Sequence, residues 1–423
     1  MEINDLYIRI SDLFGLDERI SNRWFKPFLF FQLTLMRFLS ADYIFSAHTG
    51  FIKKGILVVD GNGVVQDLID PEKTEKIPVA EKFEGIICPG FINAHCHLEL
   101  SHLKGQIAPQ TGFTGFAKEL IAKRENFTKE EIDAAIETAE HSMFENGISG
   151  VGDISNRGDS FLQKEKRKIL YHTFIELLAL NPIMAEKVAA GGSELLRAAP
   201  KPNSLTPHAA FSVSPELMEI IGNSCHDENV PLSMHNQESR AEEEFFKKAK
   251  GPIREFYEYL GIDISFFKPT GLNSLRSTLK YLPHNRNIIL VHNTFTSAED
   301  ISWSEFYSRK LYWCFCPNAN LYIENALPDY QLFINAKAKI VVGTDSLASN
   351  NQLSILSELK VIAKTLPEIT LEQLLTWSTK NGADALCFPS LGTFEKYKKP
   401  GVILLSGITN EKLLPETEVK RLI

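Results

Sequence analysis

The chain has 423 residues and a formal net charge of −8, with 44% hydrophobic and 23% charged residues. This composition is ordinary for a globular protein, and the length allows one barrel-sized domain together with a smaller one. The acidic balance argues against nucleic acid as the main partner, because a surface that neutralises phosphates needs an excess of Lys and Arg. We interpret the basic run "KEKRK", residues 164–168, as a solvated helix face or loop.

The N-terminal stretch "WFKPFLFFQLTLMRFL", Trp24–Leu39, is apolar enough to suggest a membrane helix. It is shorter than the ~20 apolar residues that a span requires, and it contains Lys26, Pro27, Gln32 and Arg37. Acidic residues precede it and no small-residue cleavage site follows, which argues against a signal peptide. We therefore expect no membrane partner, and we interpret residues 1–35 as an extension without a catalytic role.

The six cysteines show no zinc-ribbon spacing. In a chain of this length they indicate reduced thiols rather than a disulfide framework. We therefore expect a cytoplasmic protein.

Short β-branched and aromatic runs separated by glycines predict strands from Ala41 to Gly90. Within them, Asp60-Gly61-Asn62-Gly63 predicts a hairpin, because the glycines accept positive φ. After Leu391 similar pieces return, in "GTFEKYKKPGVILLSG". These pieces could complete the same sheet, so we expect a small domain built from both chain ends.

The middle of the chain alternates between amphipathic helices and buried strands. Thr128 and Glu131 form a capping box ahead of an apolar face that recurs at helical spacing. Eight strand-like runs are separated by such helices: "IICPGFINAH", "ISGVGDIS", "KILYHTFIELLAL", "SLTPHAAFSV", "VPLSMH", "NIILVH", "LYWCFCP" and "KIVVGTDS". This alternation predicts an α/β fold of the (β/α)₈ barrel type.

The motif "PGFINAHCHLELS" places two histidines around a cysteine at the end of an apolar run. Successive side chains on a strand alternate, so His95 and His97 would face the barrel mouth together. A lone His-x-His pair is a weak signal, since packing or solvent-facing histidines are more common. His235 and Asp345 end other apolar runs, and catalytic zinc takes imidazole and carboxylate ligands with one position left for water. Together the four residues predict a metal site, although Asp345 could alternatively cap the next turn.

Three further residues have placements that suit chemistry at such a site. Glu238 lies three residues beyond His235, where its carboxylate could act as a general acid or base; an exposed glutamate opening a charged run is the alternative. His292 and His208 also end apolar runs. His292 could polarise the atom under attack and His208 could contact substrate, whereas satisfied core or loop histidines are the alternative.

The motifs "PGFINAHCHLELS", "TPHAAFSVSPEL", "HNQES", "LVHNTF", "CPNAN" and "GTDSLASN" occur in the order seen in the amidohydrolase superfamily. The chain resembles its mononuclear metal-dependent deaminase and chlorohydrolase branch, and "HCHLELS" with "GTDSLASN" is most similar to the aminofutalosine deaminase-like group. The resemblance implies a distorted (β/α)₈ TIM barrel, residues 91–388, carrying a small β-sandwich from residues 36–90 and 389–423. It also implies one divalent metal ion, usually zinc, held by the positions His95, His97, His235 and Asp345. Iron and manganese also suit such ligands.

The resemblance further implies a hydrolase of carbon–nitrogen bonds that deaminates a purine nucleoside-like small molecule, of aminofutalosine or adenosine type, through a metal-bound hydroxide. Glu238, His292 and Asp345 would be catalytic, and His208 and Asn320 would bind substrate. Hydrolysis of a cyclic amide or of a chlorinated heterocycle is an alternative on the same site. A non-catalytic scaffold of the same fold is a third interpretation. A homodimer is the base-rate expectation for the assembly.

Overall fold

The protein is described here by a computed structural model, which covers residues 36–308, 310–409 and 412–423. The predicted extension, residues 1–35, lies outside the described residues. The strands in chain order are β1 (Arg37–Ser40), β2 (Tyr43–Ser46), β3 (Gly50–Lys53), β4 (Ile56–Val59), β5 (Val65–Ile69), β6 (Glu81–Lys82), β7 (Ile86–Pro89), β8 (Phe91–Cys96), β9 (Ile148–Ser155), β10 (Leu170–Leu177), β11 (Asn203–Pro207), β12 (Leu232–Asn236), β13 (Ile288–His292), β14 (Leu311–Phe315), β15 (Ile340–Val342), β16 (Val402–Ser406) and β17 (Glu418–Arg421).

The α-helices lie mainly between the strands of the middle region. In chain order they are α1 (Gly112–Lys123), α2 (Lys129–Glu145), α3 (Phe161–Glu165), α4 (Ala185–Ala198), α5 (Pro215–Asn223), α6 (Arg240–Lys248), α7 (Pro252–Tyr259), α8 (Ser274–Thr278), α9 (Ala298–Tyr307), α10 (Pro317–Ile323), α11 (Tyr330–Asn335), α12 (Ile355–Thr365), α13 (Leu371–Thr376) and α14 (Gly382–Ala385). None of the helices in the described ranges has both the length and the apolar character needed to span a bilayer. Residues 24–35 of the apolar N-terminal stretch fall outside those ranges.

The predicted helix after residue 128 begins at its capping box. The Thr128 hydroxyl accepts a hydrogen bond from the backbone N–H of Glu131, and the Glu131 carboxylate accepts one from the backbone N–H of Thr128 at 2.8 Å. These two bonds satisfy N–H groups that have no partner inside the helix. The face that carries Ile136 and Met143 is buried, as the spacing predicts.

The eight predicted strands form two parallel sheets. β8 to β11 pair in the order β11-β10-β9-β8, and β12 to β15 pair in chain order. Isolated parallel bridges join Ala209 to His235 at one seam and Cys96 to Asp345 at the other. No single closed sheet forms within the described ranges. The predicted α/β class with parallel strands is confirmed, and all eight strands end on the same side.

Both chain ends contribute to one further sheet, which has the order β17-β16-β7-β2-β3. In it β16, from the C-terminal region, pairs antiparallel with β7 from the N-terminal region. The strands β4 and β5 form the predicted hairpin within a separate sheet of the order β5-β4-β1-β6, with Gly63 at a φ of 79° and Asp60 Oδ1 accepting from the N–H of Asn62 at 2.9 Å. Distant sequence segments therefore pair here, as we expected.

Lys164 is buried, so the solvated interpretation of the run 164–168 is wrong at its first residue. Its Nζ lies 2.5 Å from Asp153 Oδ2, at the end of β9, and donates to Ser155 Oγ at 3.0 Å. The other Asp153 oxygen accepts from the backbone N–H of Leu98 at 2.8 Å. The buried ion pair thus fixes the chain directly after His97.

We expect Lys164→Met to lower the free energy of unfolding by about 3–5 kcal/mol, because it leaves the buried Asp153 carboxylate without its cation. Urea unfolding followed by circular dichroism measures this change. Lys166→Met is the matched control, since that lysine pairs with Glu137 in solvent and surface pairs contribute little. Equal stability of the two variants would contradict a structural role for the buried pair.

Candidate active site

The predicted site residues lie at the carboxyl ends of the parallel strands. His95 belongs to β8 and His97 follows it, while His235 and His292 belong to β12 and β13. Asp345 comes shortly after β15 and is bridged to Cys96 of β8. Folds built on parallel strands commonly carry their binding and catalytic groups at these strand ends.

Several backbone positions at these ends are left-handed. The φ angles are 44° at Gln237, 74° at His292 and 57° at Asp345. Non-glycine residues adopt this region at a cost in free energy, and such positions concentrate at functional sites. The turns direct the side chains that follow each strand toward the common centre.

Three imidazoles and one carboxylate come together around His97 Nε2. His97 Nε2 lies 3.1 Å from His95 Nε2, 3.3 Å from His235 Nε2 and 3.4 Å from Asp345 Oδ1. His95 Nε2 lies 3.5 Å from the same Asp345 oxygen. Ligand atoms bound tetrahedrally to zinc at ~2.05 Å are separated by about 3.3 Å, which is close to each of these four spacings.

The protonation states of His97, His235 and Asp345 suit a cation. Burial, followed by the charges of neighbouring histidines, lowers the pKa of His97 and His235 well below the usual value, so both rings are neutral at pH 7. Burial acts to raise the pKa of Asp345, but its hydrogen bond to His95 and the adjacent histidines outweigh burial and lower it. Neutral nitrogens and an ionised oxygen at such short range are stabilised by a positive ion between them.

Contacts beyond the four groups hold them in place. His235 Nδ1 donates to the backbone oxygen of His208 at 2.9 Å, which leaves Nε2 with a lone pair. Asp345 Oδ2 accepts from the hydroxyl of Ser349 at 2.5 Å. These partners orient two of the converging side chains independently of any ion.

Glu238 is only 4% exposed, so the alternative of an exposed glutamate is wrong. Its backbone N–H donates to Glu242 Oε1 at 2.8 Å, and Glu242 thereby anchors the turn after β12. Burial, and then the charge of Asp345, raises the pKa of Glu238 well above its usual value. A carboxyl group that keeps its proton at neutral pH can donate that proton to a bound molecule.

His292 and Asn320 are joined by a side-chain hydrogen bond. His292 Nε2 lies 3.7 Å from Glu238 Oε1, and His292 Nδ1 lies 2.8 Å from Asn320 Oδ1. An amide oxygen only accepts, so Nδ1 carries the proton and Nε2 presents a lone pair. The oxygen of Asn320 is therefore engaged with His292, and the contact of Asn320 with substrate stays a prediction.

His208 lies beside His235, with a ring-centroid separation of 4.8 Å. Burial lowers the pKa of His208 to about 4. The sequence interpretation missed its buried neighbour Glu176, whose Oε1 lies 3.5 Å from His235 Nδ1. The available signal was a carboxylate within the apolar run "FIELLAL", since a charged residue inside a buried strand needs a reason.

The Amidohydrolase family matches residues 86–421, so the chain belongs to that family. The predicted resemblance is thereby confirmed. Among curated relatives, an adenosine deaminase of Helicobacter pylori is 26% identical over 80% of this chain and 83% of the relative. An aminodeoxyfutalosine deaminase of Deinococcus radiodurans is 24% identical over 82% of this chain and 84% of the relative.

Solved structures agree on the fold. The aminofutalosine deaminase of Helicobacter pylori superposes with a TM-score of 0.75 at 23% identity, covering 92% of this chain and 100% of that one. An adenosine deaminase from Xanthomonas campestris with bound zinc gives a TM-score of 0.66 at 18% identity, covering 87% of this chain and 84% of that one. The predicted class, a hydrolase acting on carbon–nitrogen bonds, is confirmed, and the predicted metal-dependent deamination agrees with the family and with the names of these relatives.

Proposed function

We propose that the protein is a metal-dependent aminohydrolase that deaminates the six-position of an adenine-type base in a nucleoside-like small molecule. The observation that carries the proposal is the close approach of three imidazole nitrogens and the Asp345 carboxylate near a buried Glu238, whose pKa burial raises. Relatives that are named adenosine deaminase and aminodeoxyfutalosine deaminase support the substrate class.

We further propose that His95, His97, His235 and Asp345 bind one divalent ion, most readily zinc. The spacing of their ligand atoms and the zinc in the Xanthomonas campestris structure support this choice. A bound ion of this kind lowers the pKa of a water molecule from about 9 on aqueous zinc toward about 7, which supplies a nucleophile at neutral pH.

The two parallel sheets would act together as the predicted distorted barrel, residues 91–388, with the bridges at the two seams supporting this description. The sheet that combines strands from both chain ends would be part of the predicted small β-sandwich, residues 36–90 and 389–423. We place the protein in the cytoplasm, and we propose a homodimer on base rates.

The residues divide the proton transfers between them. Glu238 would donate its proton to a ring nitrogen, so that the ring accepts electrons as the attacked carbon becomes tetrahedral, and the first proton released by the attacking water would restore the proton of Glu238. Asp345 would take the remaining proton of the attacking water and pass it to the departing amine. One carbon–oxygen bond forms, one carbon–nitrogen bond breaks, and ammonia leaves with that proton.

The remaining predicted residues would position the reactants. His292 presents the Nε2 lone pair toward the reaction centre, where it would orient the attacking oxygen. Asn320 fixes the tautomer of His292 through the 2.8 Å hydrogen bond to Nδ1. His208 would contact the substrate on the opposite side of His235.

Ammonia release from a substrate panel tests the proposal. The purified protein would be incubated with adenosine, 5′-deoxyadenosine, methylthioadenosine and aminodeoxyfutalosine, and separately with guanine, cytosine, cyclic amides and a chlorotriazine. We expect ammonia from at least one adenine nucleoside and a much lower rate with the second group. Chloride release or amide hydrolysis without deamination would favour the alternative hydrolase. Complete inactivity of the metal-loaded protein would favour a scaffold.

A further inference from the structure

Glu176 is a buried carboxylate at the end of β10 that the proposed proton transfers do not use. Its Oε2 accepts from Asn156 Nδ2 at 2.9 Å. Its Oε1 has no hydrogen-bond partner in the described part of the chain. Burying a carboxylate oxygen without a hydrogen-bond donor costs free energy. A ligand that brings a donor to this oxygen would recover part of that cost.

A second metal ion does not satisfy this requirement. Ligand atoms of Glu176, His208 and His235 lie within 4.8 Å of one another, a spacing that a cation could use. However, His235 Nδ1 lies 2.9 Å from the backbone oxygen of His208, and a carbonyl only accepts. That nitrogen therefore carries a proton and cannot bind an ion, which leaves two ligands and is too few for a site.

His208 supplies a second acceptor next to Glu176. Its Nδ1 lies 2.6 Å from Ser212 Oγ, and Ser212 Oγ lies 3.2 Å from the backbone oxygen of Ala209. Both contacts are satisfied together only if His208 donates to Ser212 and Ser212 donates to Ala209. The Nε2 atom of His208 then presents a lone pair, and it makes no hydrogen bond within the described residues.

We propose that Glu176 and His208 bind the two adjacent hydroxyl groups of the ribose of the nucleoside substrate. The nearest donor, His235 Nδ1, already donates to the backbone oxygen of His208 at 2.9 Å and lies 3.5 Å from Glu176 Oε1. Two neighbouring acceptors in this situation suit a ligand with two donors, and a cis-diol carries two hydroxyls on neighbouring carbons, each free to donate. The base would then face Glu238 and His292, while the sugar faces the ends of β10 and β11. This subsite rests on the proposed function and names the part of the substrate that it recognises.

Glu176 could instead act only on His235, through the 3.5 Å approach to Nδ1. The two roles differ in their consequences. A group that binds the diol matters for substrates that have hydroxyls, and much less for those that lack them. A group that only positions His235 matters equally for all substrates and also for metal content.

The experiment compares kcat/KM for adenosine and 2′,3′-dideoxyadenosine in the zinc-loaded protein. We expect the wild type to prefer adenosine by about 100-fold or more, because a site built to bind hydroxyls rejects an analogue that leaves its acceptors unpaired. In Glu176→Gln we expect this preference to fall about tenfold, mainly through a higher KM for adenosine, with the zinc content kept. Glu140→Gln is the control, because Glu140 is also a buried carboxylate but contacts Gln163 and Tyr171 on α3 and β10.

Three outcomes would overturn the subsite. The first is a wild-type protein whose kcat/KM is about equal for adenosine and 2′,3′-dideoxyadenosine. This result refutes the subsite even if the variants do not fold. Another is an equal loss on both nucleosides in Glu176→Gln together with loss of zinc, which would make Glu176 a positioning residue for His235. The third is an absence of ammonia from either nucleoside in the wild type while another substrate is turned over, which would refute the adenosine-type function itself and the subsite with it.

Discussion

Glu238→Gln is expected to lower kcat for ammonia release by about 10³-fold while the protein keeps its metal ion. Glutamine is nearly the same size but has no acidic proton, and general acid catalysis contributes about 10²–10⁴-fold. Glu238 belongs to none of the groups of described side chains whose ligand atoms lie close enough together to hold a metal ion, so metal binding should persist. Steady-state kinetics with the best nucleoside of the panel, together with metal analysis of the same sample, measures both quantities.

Glu243→Gln is the matched control for this variant. Glu243 lies in α6, just beyond the turn that holds Glu238, and its carboxylate pairs with Lys247 in solvent. We expect the wild-type kcat in this control. A Glu238→Gln protein that turns over at the wild-type rate would remove Glu238 from the mechanism.

Asp345→Asn is expected to cause a loss of kcat of about 10³-fold or more, together with loss of metal. The substitution removes the one negative charge among the ligand groups and the acceptor for the second proton transfer. Asparagine also tolerates the left-handed backbone, so the 57° φ angle at this position adds little strain. Metal analysis, kinetics and a circular dichroism spectrum of one preparation separate loss of function from loss of fold.

Asp384→Asn provides the comparison, since that aspartate pairs with Lys380 at the surface. It should keep both metal and activity. If Asp345→Asn retained one equivalent of ion and more than a tenth of the wild-type kcat, Asp345 would be neither an essential ligand nor the base.

Much of the architecture could be predicted from local pattern. Parallel strands buried on both faces read as continuous apolar runs, and the run "IILVH" is buried at every residue of β13. Because polar residues are costly inside such runs, a histidine or aspartate at their end stands out. His95, His235, His292 and Asp345 were recognisable for this reason before their proximity was known.

The remaining features depend on which strands become neighbours. Glu176 lies inside the run "KILYHTFIELLAL", and the sequence does not tell that β10 ends there or that β12 brings His235 to its side chain. The burial of Lys164 depends in the same way on Asp153, which belongs to the preceding strand. Pairing of the two parallel sheets at their seams, through single bridges, is also a long-range property.

Asn320 makes a contact that the sequence alone does not indicate. The resemblance assigns it to substrate, whereas its amide oxygen accepts from His292 Nδ1. A sequence pattern identifies the residue type at a position, but the hydrogen-bond partner depends on the approach of β13 and α10. Asn320 therefore orients His292 through its oxygen, and its contact with substrate stays a prediction.

The most direct measurement of the central claim is metal content and ammonia release in the same protein before and after chelation. The wild-type protein should hold one equivalent of divalent ion per chain, lose ammonia release when the ion is removed, and regain it when one equivalent of zinc is added back. A metal-free protein that deaminates an adenine nucleoside at the full rate would contradict a centre formed by His95, His97, His235 and Asp345.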